Sequence, residues 1–320
     1  MKKLTIAIPT YNRCNYLQDC LDSILSQITD EIDIVISDNA STDETQKVAL
    51  KYNEYTFIHY YRNDQNLGMD GNFLNCLIKA EGKYIHLMSD DDIMLPGTIK
   101  AIIDCINNDN PCLIHMNTCS FRGDFTGIEN CSNARFNLDQ NFITYDKDLF
   151  LGKIGVYITY LSSLVLKNEL VKRISEPEQF LGTFFMQSHM ALLITEGDKA
   201  LVILNHNSIA ARSGNTGGYN LYKIWTEEYK KLLLGTGVKA GYDKKCMEKL
   251  YIKSIIAEVK GFILDFRLVN TGFDLKGRNV LIKNTYMYPS VWLRVYPVSY
   301  LPISILRLLR NIRSKLKSRK

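Results

Sequence analysis

The stretch KYIHLMSDDDIMLPG, residues 83–97, runs from an apolar β-type segment straight into three consecutive aspartates. Each carboxylate raises the cost of ionising its neighbours, so a chain that gathers three at one point implies a positive group there. A divalent cation is the expected one. Mg²⁺ and Mn²⁺ take hard oxygen ligands, commonly one or two carboxylates together with diphosphate oxygens and water. Asp90, Asp91 and Asp92 are therefore the expected metal ligands. The alternative is that Asp90 and Asp92 cap the following helix and form a turn, for which one aspartate would suffice.

Working outward, LTIAIPT (4–10), IDIVISD (32–38) and FIHYY (57–61) are further short apolar runs, separated by helix-like segments such as NYLQDCLDSILSQ. Alternating strands and helices predict an α/β fold with a mostly parallel sheet. Each strand ends on polar residues: Thr10 to Arg13, Asp38-Asn39, Arg62-Asn63, and the aspartates. In open α/β sheets ligands bind at the carboxyl ends of the strands, which is where this chain places those groups. Asp38 can cap a turn, and at a crevice it can also accept hydrogen bonds from a nucleobase or ribose. Residues 120–145 read as a long surface loop, and the pattern from 219 to 269 is helical.

The 320 residues, 46% hydrophobic and 23% charged, suit a globular protein with a large core. The eight cysteines lack CxxC or Cys/His ligand spacing, and the apolar run near the N-terminus is too short for a secretory signal, so a cytoplasmic location is expected. Eleven of the 39 lysines and arginines lie in residues 276–320, where there is no Asp or Glu. The rest of the chain is net negative. In this tail Ile305, Leu308, Leu309, Ile312 and Leu316 share one helical face, with Arg307, Arg310, Arg313 and Lys317 on the other. That pattern fits a helix lying on an anionic membrane surface, and the absence of interleaved stacking aromatics argues against nucleic acid. A helix packed on its own domain is the competing reading.

IAIPTYNR, DIVISDNASTDET, RNDQNLGMDGNFLNCLIKAEGKYIHLMSDDD and DIMLPG together resemble the nucleotide-binding half of the family 2 glycosyltransferases, in order and spacing, over about the first 100 residues. Within that family the chain is similar to transferases that build bacterial O-antigen and capsular polysaccharides, including the abequosyltransferase-like group. The resemblance implies a GT-A fold over residues 1–218, with 1–100 holding the nucleotide-sugar and 101–218 the acceptor. A helical region, 219–320, follows, its membrane tail starting near 290. The implied reaction is inverting transfer of a sugar from a nucleotide-diphosphate donor, expected to be a UDP-sugar, with Mn²⁺ or Mg²⁺. The expected acceptor is a lipid-linked glycan at the inner face of the cell membrane.

Carried over residue by residue, Pro9, Thr10, Tyr11 and Arg13 match the loop around the nucleotide, and Asp38, with Asn39 beside it, the carboxylate that reads the base. Arg62, Asn66 and Gly68 match the second loop, with Asn72 behind it. Asp90 and Asp92 match the D-x-D positions beside the diphosphate. Many relatives carry an aspartate where Ser89 stands, and a Glu-Asp pair heading a helix in the acceptor half. Here that segment is GTFFMQSHMALLI, without a carboxylate, so His189 is the expected base and Asp92 its catalytic companion. Asp124 and Glu129 are the fallback bases. Arg212, followed by Gly214, Gly217 and Gly218, is expected to close over the diphosphate from a flexible loop. Two alternatives are a sugar nucleotidyltransferase, disfavoured because no glycine-rich phosphate loop follows the first strand, and a membrane-associated scaffold without catalysis.

Overall fold

The computed structural model describes residues 1–195, 197–213, 220–269 and 275–317. The chain divides into two compact units, 1–216 and 217–320.

In the first unit the strands are β1 (Leu4–Thr10), β2 (Ile32–Asp38), β3 (Ile58–Arg62), β4 (Tyr84–Leu87), β5 (Ile93–Met94), β6 (Leu113–Phe121), β7 (Phe142–Thr144), β8 (Leu164–Lys167) and β9 (Leu201–Arg212). The helices are α1 (Cys14–Leu25), α2 (Thr45–Leu50), α3 (Gly68–Lys79), α4 (Thr98–Asp109), α5 (Lys147–Ile154), α6 (Asn168–Val171) and α7 (Met186–Leu193). The strands form one mixed sheet in the order β3-β2-β1-β4-β8-β6-β9-β5, with β7 on β9. The half from β3 to β4 is parallel, whereas β8 runs antiparallel to both β4 and β6. Every residue of β1 and β2 is buried, as expected of parallel strands covered on both faces. Leu17, Leu21 and Ile24 of α1 pack on Ile6, Ile8 and Ile34 in the main core. Each such side chain contributes about 1.5–3 kcal/mol by leaving water.

Chain order fixes where the sheet opens. From β1 the chain moves to β2 on one side and returns to β4 on the other, so the carboxyl ends of β1 and β4 flank a switch point. The β1–β4 ladder stops at Ala7 and Leu87, while β1 stays paired with β2 to Thr10. Pro9, which has no N–H to give, lies in this last part, beyond the end of β4. The β8 strand begins at Leu164 and is preceded by tight helical turns over 155–163, where the sequence reads as strand from Tyr160.

The second unit is helical, including π-helical turns at Ile224–Glu228, Lys231–Gly237 and Ile255–Val259. Its helix Ile303–Lys317 buries Leu306 but leaves Ile305, Leu308, Leu309 and Ile312 between 41% and 59% exposed. Among the described residues no helix is long and apolar enough to cross a membrane.

Candidate active site

The loops that follow β1 and β2 are stitched together by their own polar groups. Asn12 adopts the left-handed region at φ 53°; its N–H donates to Ser41 Oγ at 2.9 Å, and its Oδ1 accepts from the Thr42 N–H at 2.7 Å. The N–H of Arg13 donates to Thr45 Oγ1 at 3.0 Å. Tyr11 stands out into solvent, and Arg13 is partly exposed.

Asp38 is fully buried. Its Oδ1 accepts from the Ser41 N–H at 2.8 Å, and its Oδ2 accepts from the Tyr60 hydroxyl at 2.7 Å and lies 3.4 Å from Arg62 Nη1. Its acceptor positions face protein donors, of which Arg62 is the exposed one. Asn39 and Asn72, expected at the nucleotide, are spent on the backbone framework. Asn39 bridges Asn66, Gly68 O, Asn63 and the Leu67 N–H. Asn72 accepts from Ser37 Oγ at 2.7 Å and donates to Ser37 O and Thr10 O, tying α3 to the ends of β1 and β2. Gly68 opens α3 at φ +74°, a conformation that strains any side chain, and its N–H donates to Asn66 Oδ1. Asn66, Gly68, Arg62, Tyr11 and Arg13 are thus the expected residues with surface to offer a ligand, and Asp38, Asn39, Asn72, Thr10 and Pro9 shape the loops behind them.

The three aspartates close the crevice, each less than a tenth exposed. Burial raises Asp90 to about 7, opposed by the Thr10 hydroxyl and the Arg13 charge. Burial, then the Asp91 charge, raises Asp92 to about 6. Asp91 Oδ1 accepts from Ser89 Oγ at 2.7 Å, and its Oδ2 lies 3.7 Å from Arg13 Nη1. Asp92 is held from three sides: Oδ2 accepts from the hydroxyls of Tyr160 at 2.5 Å and Ser162 at 2.6 Å, and Oδ1 from the Arg212 N–H at 3.0 Å. Tyr160 and Ser162 come from YLSS, where three polar residues and a leucine precede a buried strand. Their segment is fixed carbonyl by carbonyl: Gln187 and Ser188 donate to Thr159 O and Ile158 O, and buried His86 lies 3.0 Å from Ser162 O.

Two expectations are corrected here. Arg212 ends β9 rather than riding a loop, and its guanidinium is already engaged: Nε donates to Asp91 O, Nη1 to Gly123 O, and the group lies over the Tyr16 and Phe121 rings. It braces the triplet, while Gly214, Gly217 and Gly218 lie outside the described residues. His189 does not line the crevice as a base. It is 2% exposed, its ring stacked on Phe180 with centroids 4.3 Å apart, and burial lowers its pKa to about 4. Replacing His189 by Ala is accordingly expected to cost about 2–3 kcal/mol of stability, as a lost buried ring contact does, with turnover per folded molecule kept. Denaturant melts beside initial rates check this, and loss of turnover without loss of stability would restore the base assignment.

Among the described residues no three His, Cys, Asp or Glu side chains form a self-contained metal site. A cation shared between one or two carboxylates and a diphosphate needs no such trio.

The site thus sets parallel strand ends and two stitched loops beside an aspartate triplet. Residues 5–174 match the description of glycosyl transferase family 2, and the chain belongs to that family. Abequosyltransferase RfbV of Salmonella typhimurium is 28% identical over 305 residues, covering 92% of this chain and 84% of that protein. The GalNAc(5)-diNAcBac-PP-undecaprenol beta-1,3-glucosyltransferase of Campylobacter jejuni is 29% identical over 109 residues, 33% of this chain and 35% of that protein. Among solved structures, S. aureus TarS 1-349 in complex with UDP-GlcNAc superposes with a TM-score of 0.63 at 16% identity, covering 98% of this chain and 88% of that one. The mannosyltransferase PcManGT from Pyrobaculum calidifontis, in complex with GDP-Man and Mn²⁺, gives 0.56 at 14% identity over 98% and 88%. These likenesses establish the GT-A fold, and the chain is a glycosyltransferase.

Proposed function

We propose that the chain transfers a sugar from a nucleoside diphosphate, UDP the leading candidate, to a hydroxyl of a lipid-linked glycan in surface-polysaccharide synthesis, with inversion at the anomeric carbon. The observation that carries the donor side is the buried aspartate triplet beside the loops at the ends of β1 and β2. UDP-GlcNAc in one structural neighbour supports the donor class, and the undecaprenol-linked acceptor named for the Campylobacter relative supports the acceptor class.

Asp91, with Asp90, would hold Mn²⁺ or Mg²⁺; Asp92, both of whose oxygens take protein donors, positions them. When bound, the cation offsets charge on the leaving diphosphate. Arg13 and Arg62 face the nucleotide, and Tyr11 covers it. With His189 buried, the base role passes to Asp124. This exposed carboxylate directly follows Gly123, whose carbonyl receives the same Arg212 guanidinium that reaches Asp91 O. Glu129 instead folds back over Gly127. Asp124 takes the acceptor hydroxyl proton as that oxygen bonds to the anomeric carbon and the nucleoside diphosphate departs. Proton NMR of the new linkage against the donor tests inversion; an unchanged anomeric configuration would refute it.

The exposed apolar face of helix Ile303–Lys317 and the basic tail support work at the inner face of the membrane, each cation contributing about 1 kcal/mol near an anionic surface. Deleting residues 303–320 is expected to release the protein from anionic vesicles in a sedimentation assay; undiminished binding would contradict the anchoring role.

A further inference from the structure

The second unit carries a groove of about 530 Å³ between the helix Lys244–Ser254, with the turn after it, and the helix Pro289–Arg294. Lys245, Lys249 and Lys253 recur every fourth residue, so they stand on one helical face, and Arg294 lines the groove from the other helix. Glu248 is the single carboxylate in the lining. The ion pairs described in this unit belong to Lys223 and Lys231, and none of the four groove cations takes part in them. Beneath the cations, Ile252 and Ile256 are only half-buried. Beside Arg294, Trp292 is 48% and Leu293 80% exposed.

Lys245 has Asp243 as an electrostatic neighbour, but four cations against one carboxylate in the lining leave an excess of positive charge that calls for an anion. Half-buried isoleucines between them, and an exposed Trp-Leu pair on the same short helix, call for an anion attached to an apolar body. Trp at this kind of boundary is the side chain of a membrane interface. No aromatic ring lines the groove to stack a base, so single-stranded nucleic acid does not fit. We propose that this groove binds the phosphate headgroup of a membrane lipid, with Lys245, Lys249, Lys253 and Arg294 around the phosphate oxygens and Ile252 and Ile256 under the first methylenes. The inference rests on the reading that the chain works at a lipid surface and adds to it a specific seat for the lipid, separate from the tail.

The test is sedimentation of the full chain with phosphatidylcholine vesicles, with and without phosphatidic acid. It compares wild type, Lys249→Ser/Arg294→Ser, and the charge-matched control Lys51→Ser/Lys172→Ser in the first unit. The groove pair is expected to lose about tenfold or more in affinity for phosphatidic acid vesicles, and the control less than about twofold. Ile252→Ser should weaken vesicle binding too, and soluble glycerol 3-phosphate should fail to compete. Equal losses in both pairs would reduce the effect to bulk charge and overturn the proposal, as would full competition by glycerol 3-phosphate or a groove pair that binds like wild type. If wild type itself ignores the vesicles, the membrane reading fails as well. Far-UV circular dichroism and thermal melting unchanged from wild type confirm that the helical unit of the groove variant is folded.

Discussion

Replacing Asp91 by Ala lowers sugar transfer by about 10³-fold or more, a loss of roughly 4 kcal/mol of transition-state stabilisation, while the protein still folds. The expectation follows from how the triplet divides its work. Asp92 is bound by Tyr160, Ser162 and the Arg212 N–H, so its removal orphans buried donors and disturbs the fold. Asp90 lies deeper, beside Thr10, where burial pushes it up to about 7. Asp91 has the polar neighbours Ser89 and Arg13 at the crevice side. Its loss removes the carboxylate best placed to share a cation with a diphosphate. Initial rates with saturating donor, beside a thermal melt, separate the two effects. An Asp91→Ala protein with wild-type rates would mean that the triplet is structural.

The second large effect concerns the acceptor side. Asp124→Asn is expected to lower kcat by about 10²- to 10⁴-fold, the usual weight of a general base, with donor affinity unchanged. Asparagine keeps the size and the exposed setting of the side chain, so the fold has no reason to respond. Rates and calorimetric donor binding on the same preparation check it. Equal turnover would move the base elsewhere in the 122–141 loop, and lost donor binding would make Asp124 a nucleotide residue.

Much of the donor half is legible in the sequence because its determinants are local. Buried parallel strands must be continuous apolar runs, and each here is followed at once by the polar residues that face the crevice. What is local in sequence but ambiguous in role is the set of asparagines. Asn39 and Asn72 stand where a ligand could use them, yet backbone groups claim their hydrogen bonds first: the Leu67 N–H and Gly68 O for Asn39, and the strand-end Ser37 O for Asn72. The distant partners are not legible at all. Nothing near Asp92 in the chain announces Tyr160 and Ser162, which reach it across about 70 residues because β8 lies beside β4. His189 shows the opposite failure: a lone imidazole in an apolar helix carries no signal of whether it points to a crevice or to Phe180. Arg212 is not legible as strand because the tail of β9, NSIAAR, is followed by a glycine-containing segment and lacks a long apolar run, so its pairing with Phe121 is what marks it as strand.

The triplet and its two loops are proposed to form a cation-assisted nucleoside diphosphate site. The most direct test is calorimetric titration of UDP, GDP, CDP and dTDP, with and without Mn²⁺, into wild type and Asp91→Ala. Wild type is expected to bind one of the four, more tightly with Mn²⁺, and the substitution to remove the gain from the metal. Binding of none, or binding indifferent to both Mn²⁺ and Asp91, would contradict it.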